Sequence, residues 1–356
     1  MKDRKSWPGS RPVSRRAFGI GLAAGVVTLA APAIVRAQAK PSAIVVAIQG
    51  GNMAKLTAQI TDAIFEKRTS VKVKHLIGAH KDRIVKLRAE VPKASFHAYY
   101  SNANYITQAI GMNLLEPISA KIVPGYDSVP AGLRSGHAIM TMYTAEGVLY
   151  NPKAMPKPTS WSVLWDPKYK GKVAVNRYID RMMMICSAYA TGGKRLDDDD
   201  AAWKALEKLV TDQQGKLFTS SEQLGQMFEQ GEVVVAPFWQ ARSVQWKKAG
   251  HPVAFAAPAE GAISESWGFG IPRGTPEEIK ALAGQWIGIH LEKDASVQFA
   301  KGWGYPSTSP NVEYPPDIAG DLLSKSEFAQ LKNPDYAWLV KNTAAWTERF
   351  NKMLSR

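Results

Sequence analysis

From Ala43 onward, short apolar runs alternate with segments of helical period, and that alternation restricts the chain to an α/β architecture. Ala43–Ile48 is apolar throughout and is bounded by Pro41 and by Gly50-Gly51-Asn52. This is the pattern of a buried strand that ends in a tight turn. Leu56, Ile60 and Ile64 follow at four-residue spacing, which predicts a helix. Val71 and Val73 alternate with Lys72 and Lys74, as in a half-buried strand. A helix over 81–90, a strand over 96–100 and a helix over 105–112 complete a βαβαβα unit, which implies a mostly parallel sheet. Further strands are expected at 138–143, 148–150, 173–175, 233–236 and 253–256. Helices are expected at 180–190, 200–212, 222–230 and 240–249. A late helix opens at Thr275-Pro276-Glu277-Glu278, where Thr275 and Glu278 have capping-box spacing and Pro276 takes the first helical position. The three prolines in 151–159 mark a link between two lobes.

A chain of 356 residues is long enough for two domains, and 45% hydrophobic against 21% charged residues is an ordinary globular balance. The formal net charge of +14 is uneven. Residues 2–16 are basic, 19–33 carry no charge, and Val35-Arg36-Ala37 places small or apolar residues where a signal peptidase cuts. The uncharged stretch is too short to cross about 30 Å of hydrocarbon as a helix. Residues 1–37 therefore read as an export signal cleaved near Ala37, and Ser14-Arg15-Arg16-Ala17-Phe18 matches the twin-arginine pattern. Taking the leader's +6 from +14 leaves +8, spread without an arginine-rich block or a basic–aromatic repeat, so no nucleic-acid partner is expected. The single cysteine excludes an intramolecular disulfide framework and suits an oxidising, periplasmic compartment.

Enzyme signatures are missing. The chain has no Gly-x-Ser-x-Gly elbow, no His-Glu-x-x-His and no phosphate-binding glycine loop. The six histidines (75, 80, 97, 137, 251, 290) have no metal-ligand spacing on a predicted helix, and Cys186 sits on an apolar helix face. The acidic run 197–200 precedes a helix, where a cap and a solvated surface explain it. No cofactor and no metal site is expected. Ligands of open α/β sheets settle beyond the carboxyl ends of the strands. That rule selects the loops carrying Gly51 and Asn52, Tyr100, Ser101 and Asn102, Tyr143, Arg177, and Trp239. Their aromatic rings, amides and small polar groups suit a small organic solute.

Four segments carry a family resemblance. They are Gly147-Val148-Leu149-Tyr150-Asn151, the run 161–173 (WSVLWDPKYKGKV), Gly304-Tyr305-Pro306-Ser307 with Ser309-Pro310-Asn311, and Glu66-Lys67-Arg68-Thr69-Ser70-Val71-Lys72-Val73. In the last, Ser70 stands where glycine is usual. Together they resemble the extracellular solute-binding proteins of ABC importers, nearest the spermidine/putrescine-binding branch. The resemblance implies a two-lobed, type II periplasmic-binding-protein fold, each lobe a mostly parallel sheet flanked by helices, with a hinge between. Lobe 1 would be 40–145 plus 268–305, and lobe 2 would be 146–267 plus 306–356. It also implies a monomer that captures a solute in the inter-lobe cleft and delivers it, chemically unchanged, to a permease in the inner membrane.

The same resemblance brings Trp267 and Tyr305 to the cleft beside Tyr100 and Trp239. The position of the family's acid is taken here by Trp267, and Asp180 is the candidate carboxylate of the other lobe, or a helix N-cap. Arg177 and Arg181 flank Asp180 and would favour an anion. A polyamine is the first expectation. An anionic amino-acid-, opine- or phosphonate-like solute follows, with ferric ion, a cysteine-dependent enzyme or a solute-free receptor partner as remoter alternatives.

Overall fold

The computed structural model describes residues 41–355, so the export signal, its twin-arginine motif and its cleavage point lie outside the described residues. Ten strands organise the described residues: β1 Ala43–Ile48, β2 Lys72–Ile77, β3 Ala98–Asn102, β4 Arg134–Ser135, β5 Ala138–Tyr150, β6 Ala174–Asn176, β7 Lys216–Phe218, β8 Val235–Trp239, β9 Ala254–Ala256 and β10 Ile263–Gly270. The main sheet runs β2-β1-β3-β10-β5-β4, with β8 and β9 also paired to β5. The α/β class holds, but the parallel expectation is met only in part. β1 pairs parallel with β2 and β3, and β6 with β7, whereas every pair made by β5 or β10 is antiparallel.

The reason lies in β10, which periodicity did not reveal. Its sequence, Ile-Ser-Glu-Ser-Trp-Gly-Phe-Gly, has no run of apolar residues, yet all eight positions are buried. It inserts between β3 and β5 and runs against both. The expected strands 138–143 and 148–150 are likewise one strand: the Thr144-Ala145-Glu146-Gly147 step continues β5 for 13 buried residues, roughly 40 Å of extended chain.

Both strands run from a first body of apolar core, around β1 and β3, toward a second made of two clusters. Ala138, Ile139, Met140 and Met142 of β5 pack in a cluster with β1, β3 and the helices around them. Val148 and Tyr150 join a second cluster, built on the helices Ile179–Thr191 and Asp199–Val210, and Leu149 joins a third beneath β8. In β10, Ile263 belongs to the second cluster, while Trp267 and Phe269 belong to the first. The long helix Tyr336–Leu354 packs against both Ala103–Gly111 and Ile179–Thr191.

Local chemistry explains several element ends. Asn102 caps the helix Ala103–Gly111 by accepting from the Tyr105 N–H at 3.2 Å. Asp198 caps the helix Asp199–Val210 by accepting from the Ala201 N–H at 3.1 Å. Ser70 ends its helix at φ 61°, the left-handed conformation that explains why glycine is usual there. The capping box at Thr275 does not form. Pro276 is the N-cap instead, and Thr275 Oγ1 donates to the Pro272 carbonyl at 2.6 Å, which turns the side chain away from the helix.

Candidate functional site

Residues carried by elements of both core bodies line a cavity of about 480 Å³, a size suited to a small organic molecule. On the first body, β10 and the turn after the helix Lys293–Trp303 present a continuous aromatic wall. Trp267 meets Tyr305 edge-on at 4.9 Å, and Trp303 lies 4.4 Å from Tyr305. His80 stacks on Tyr105 at 5.7 Å. Burial, with the nearby Arg83 charge, holds His80 down to about 4, so its ring is neutral. The Arg83 guanidinium can only donate, and it contacts His80 Nδ1 at 2.9 Å. Nδ1 is therefore the acceptor and Nε2–H the ring's donor. On the other body, Trp239 ends β8, Arg242 follows it one helical turn on, and Asp180 and Arg181 open the helix Ile179–Thr191.

Charge is concentrated at one end. The Arg181 guanidinium, only 11% exposed, pairs with Glu265 on β10, lies 3.6 Å from Glu146 on β5, and reaches Asp180 through Nε at 4.0 Å. Asn102 Nδ2 stands 3.5 Å from Glu265 Oε1. Burial works against the Arg181 charge, but Glu265, Glu146 and Asp180 outweigh it and raise the guanidinium's pKa. Burial also raises Glu265, against the pull of Arg181. Neither carboxylate oxygen of Glu146 has a hydrogen-bond partner among the described residues. Burial pushes that group from 4.5 up to about 7 despite Arg181, and the Glu265 and Asp180 charges add to the rise.

Arg242 is different. It donates through Nη1 to Gln245 Oε1 at 2.9 Å, and no ion pair among the described residues includes it. Its positive charge acts on the Tyr305 hydroxyl across the cavity lining.

Of the residues expected from sequence, the structure brings Asn102, Asp180, Trp239, Trp267 and Tyr305 to this cavity. Asp180 is not the N-cap; Tyr178 holds that position and Asp180 sits in the first turn. Six others lie elsewhere. Gly51 and Asn52 are exposed at the start of the next helix, and Gln49, just before that turn, lines the cavity instead. Tyr100 is buried against Met142, its hydroxyl 4.0 Å from the sulfur. Ser101 backs the site by bonding His80 Nδ1 at 2.7 Å. Tyr143 packs on Phe328 at 4.6 Å. Arg177 turns away and donates to Asn351 Oδ1 at 3.3 Å, because the C-terminal helix offers it a partner there. Cys186 is buried in the second core, where burial pushes its thiol up, and it does not line the cavity. Tyr178, in the nominated loop 176–178, also lines the cavity, whereas Tyr105, Trp303 and the cation Arg242 carry no signal in the sequence beyond proximity to the nominated loops.

A match to the model of the bacterial extracellular solute-binding proteins covers residues 61–325. The chain belongs to that family. This solute-binding protein is also 26% identical, over 203 residues, to the spermidine/putrescine-binding periplasmic protein of Escherichia coli K12. The match spans 55% of this chain and 56% of that relative, so the chain covers little more than half the relative's length. An ABC transporter structure from Clostridium perfringens superposes with a TM-score of 0.75 at 21% identity, over 87% of this chain and 99% of that one. A periplasmic binding protein from Agrobacterium tumefaciens R10, solved with agropinic acid, superposes with a TM-score of 0.65 at 18% identity, over 88% and 99%. Such likenesses establish the fold of the solute-binding protein and leave its ligand to the cavity.

The cavity's charge yields one stability prediction. The native state keeps the Glu146 proton up to about pH 7, whereas an unfolded chain releases it near 4.5. Between those values the native state binds more protons, so this group's contribution to stability falls as pH rises through the window. Glu146→Gln cannot ionise. It should melt above the wild type at pH 8, by roughly 1–3 kcal/mol of unfolding free energy, with the gap closing toward pH 5. Melting curves from pH 5 to 8 check this; a gap independent of pH would refute it.

Proposed function

We propose that this protein is the solute-binding component of an ABC importer, exported to the periplasm as a monomer, and that its solute carries both a carboxylate and an ammonium group. The two core bodies act as lobes, with boundaries near 145–146 in β5 and 267–268 in β10. These two strands form the hinge, and closure of the lobes around the solute creates the surface an inner-membrane permease reads. The family and the cavity between the two cores support this reading.

The observation that carries the choice of solute is Arg242, a cavity-lining cation outside every ion pair of the described residues. A cation facing a partly desolvated cavity disfavours a dication and attracts a carboxylate, which a guanidinium can hold through two parallel hydrogen bonds. Asp180, 24% exposed, is the complementary anion for an ammonium group. The indoles of Trp239, Trp267 and Trp303 cover the apolar stem between them. The second reading, a polyamine, draws on Asp180 and Glu265 as acids and on the named Escherichia coli relative.

Putrescine and 4-aminobutyrate have chains of nearly equal length and differ at one end, ammonium against carboxylate. A solute at 100 times its Kd raises stability by about 2.7 kcal/mol. Melting of the mature protein should therefore shift with ω-amino acids or related zwitterions and stay put with putrescine and spermidine. A shift with the diamines alone would overturn the zwitterion reading in favour of the polyamine one.

A further inference from the structure

The acidic end of the cavity gathers more carboxyl groups than a single ammonium needs. Asp180, Glu265 and Glu146 come from three elements, the helix Ile179–Thr191, β10 and β5, and converge within 4.0 Å of one guanidinium. Glu146 and Glu265 are fully buried. Glu146 lacks any hydrogen-bond partner among the described residues, so the cluster is not a solvated acidic face. Buried carboxylates require a cation or a proton. The chain supplies that cation itself, as the side chain of Arg181, at a position that lines the cavity.

We propose that Arg181 is a built-in counter-ion that occupies the place of a second ligand ammonium, and so sets the cavity against diamines. This deepens the reading of the site given above and rests on it. With Arg181 present, Glu265 is neutralised from within and only Asp180 remains for the solute. A diamine entering the cavity would have to displace a tethered guanidinium from its carboxylates, and would place its other ammonium near the unpaired Arg242. An amino acid meets neither obstacle. Discrimination here comes from a repulsive element as much as from an attractive one. Arg181 is thus a specificity-determining residue: take away its side chain, and the same carboxylates present a diamine site.

The test is calorimetric titration of the mature protein with putrescine and with 4-aminobutyrate, comparing wild type, Arg181→Ala, Arg181→Lys and the double variant Arg181→Ala with Glu146→Gln. Expected is a gain of at least tenfold in putrescine affinity for Arg181→Ala, with none for Arg181→Lys, which keeps a cation in place. Where Arg181→Ala melts too low to titrate, millimolar putrescine should restore its cooperative melt, as 4-aminobutyrate should not, and the double variant, with one buried ionisable carboxyl fewer, should titrate directly. No gain of putrescine affinity in a folded alanine variant, and no rescue where it is unstable, would make Arg181 a structural clamp only and overturn the proposal. Tight putrescine binding by the wild type would overturn it as well. A wild type that binds no carboxylate-bearing solute, beside an alanine variant that gains putrescine, would instead refute the zwitterion reading and leave the role of Arg181 standing.

Discussion

Replacing Arg242 with alanine is expected to weaken binding of a carboxylate-bearing solute by roughly 10- to 100-fold, with little change in melting temperature. The magnitude follows from hydrogen bonds to charged groups, each worth about 1.5–3 kcal/mol when a partner is removed. Stability should hold because Arg242 makes one hydrogen bond, to Gln245 in its own helix, and joins no ion pair among the described residues. Lysine at this position should recover only part of the affinity, since a point charge lacks the planar fork that grips both carboxylate oxygens. Affinity for an uncharged analogue of the solute should hardly move. Calorimetry on the three forms decides the matter: an alanine variant within twofold of wild type would place the solute's carboxylate elsewhere.

Gly268→Ala should produce the largest loss of stability, about 3 kcal/mol or more. A Cβ on Gly268 would lie 2.0 Å from the Ile139 carbonyl oxygen and 2.5 Å from Met140 Cα. Both are backbone atoms of β5, so no side chain can swing aside. The register of β10 against β5 shifts between Trp267 and Gly268, and the close approach belongs to that irregularity. Separating the strands would also pull Trp267 off Tyr305. Chemical denaturation should register the loss as a lower midpoint, and solute affinity should fall with it. A variant that melts within two degrees of wild type would mean that the bulge relaxes without cost.

The sequence made the outer layers of the fold legible and hid its centre. β1 is an apolar run bounded by turn residues, and the helix after it shows its apolar residues at four-residue spacing although a π turn at Ala58–Asp62 interrupts it. β10 is buried on both faces, yet it carries Ser264, Glu265 and Ser266 at its middle. Polar residues there break the apolar run that marks a buried strand, and they are there because the charged end of the cavity needs Glu265. The Glu146-Gly147 step disguised the unity of β5 in the same way. Gly147 is required because a Cβ would fall 2.4 Å from the Phe255 ring. Function thus erased the local signal in the two strands that position the site.

The candidate site was legible to the same degree. Strand-end loops led to Asn102 and Trp239, and family resemblance to Asp180, Trp267 and Tyr305. Direction was not readable. Arg177 and Arg181 are four residues apart in sequence and look alike, but one reaches the C-terminal helix and the other the carboxylates of β5 and β10. Only the packing of distant segments separates them.

The late position of β10 in the chain governs how the molecule can be made. A ribosome that has reached residue 262 has produced β3 and β5 without the strand that joins them. At 5–20 residues per second, some seconds pass before the amino-terminal half can close its sheet. A nascent chain released before β10 is made exposes the edges of β3 and β5 that β10 pairs with to any protease or chaperone that meets it.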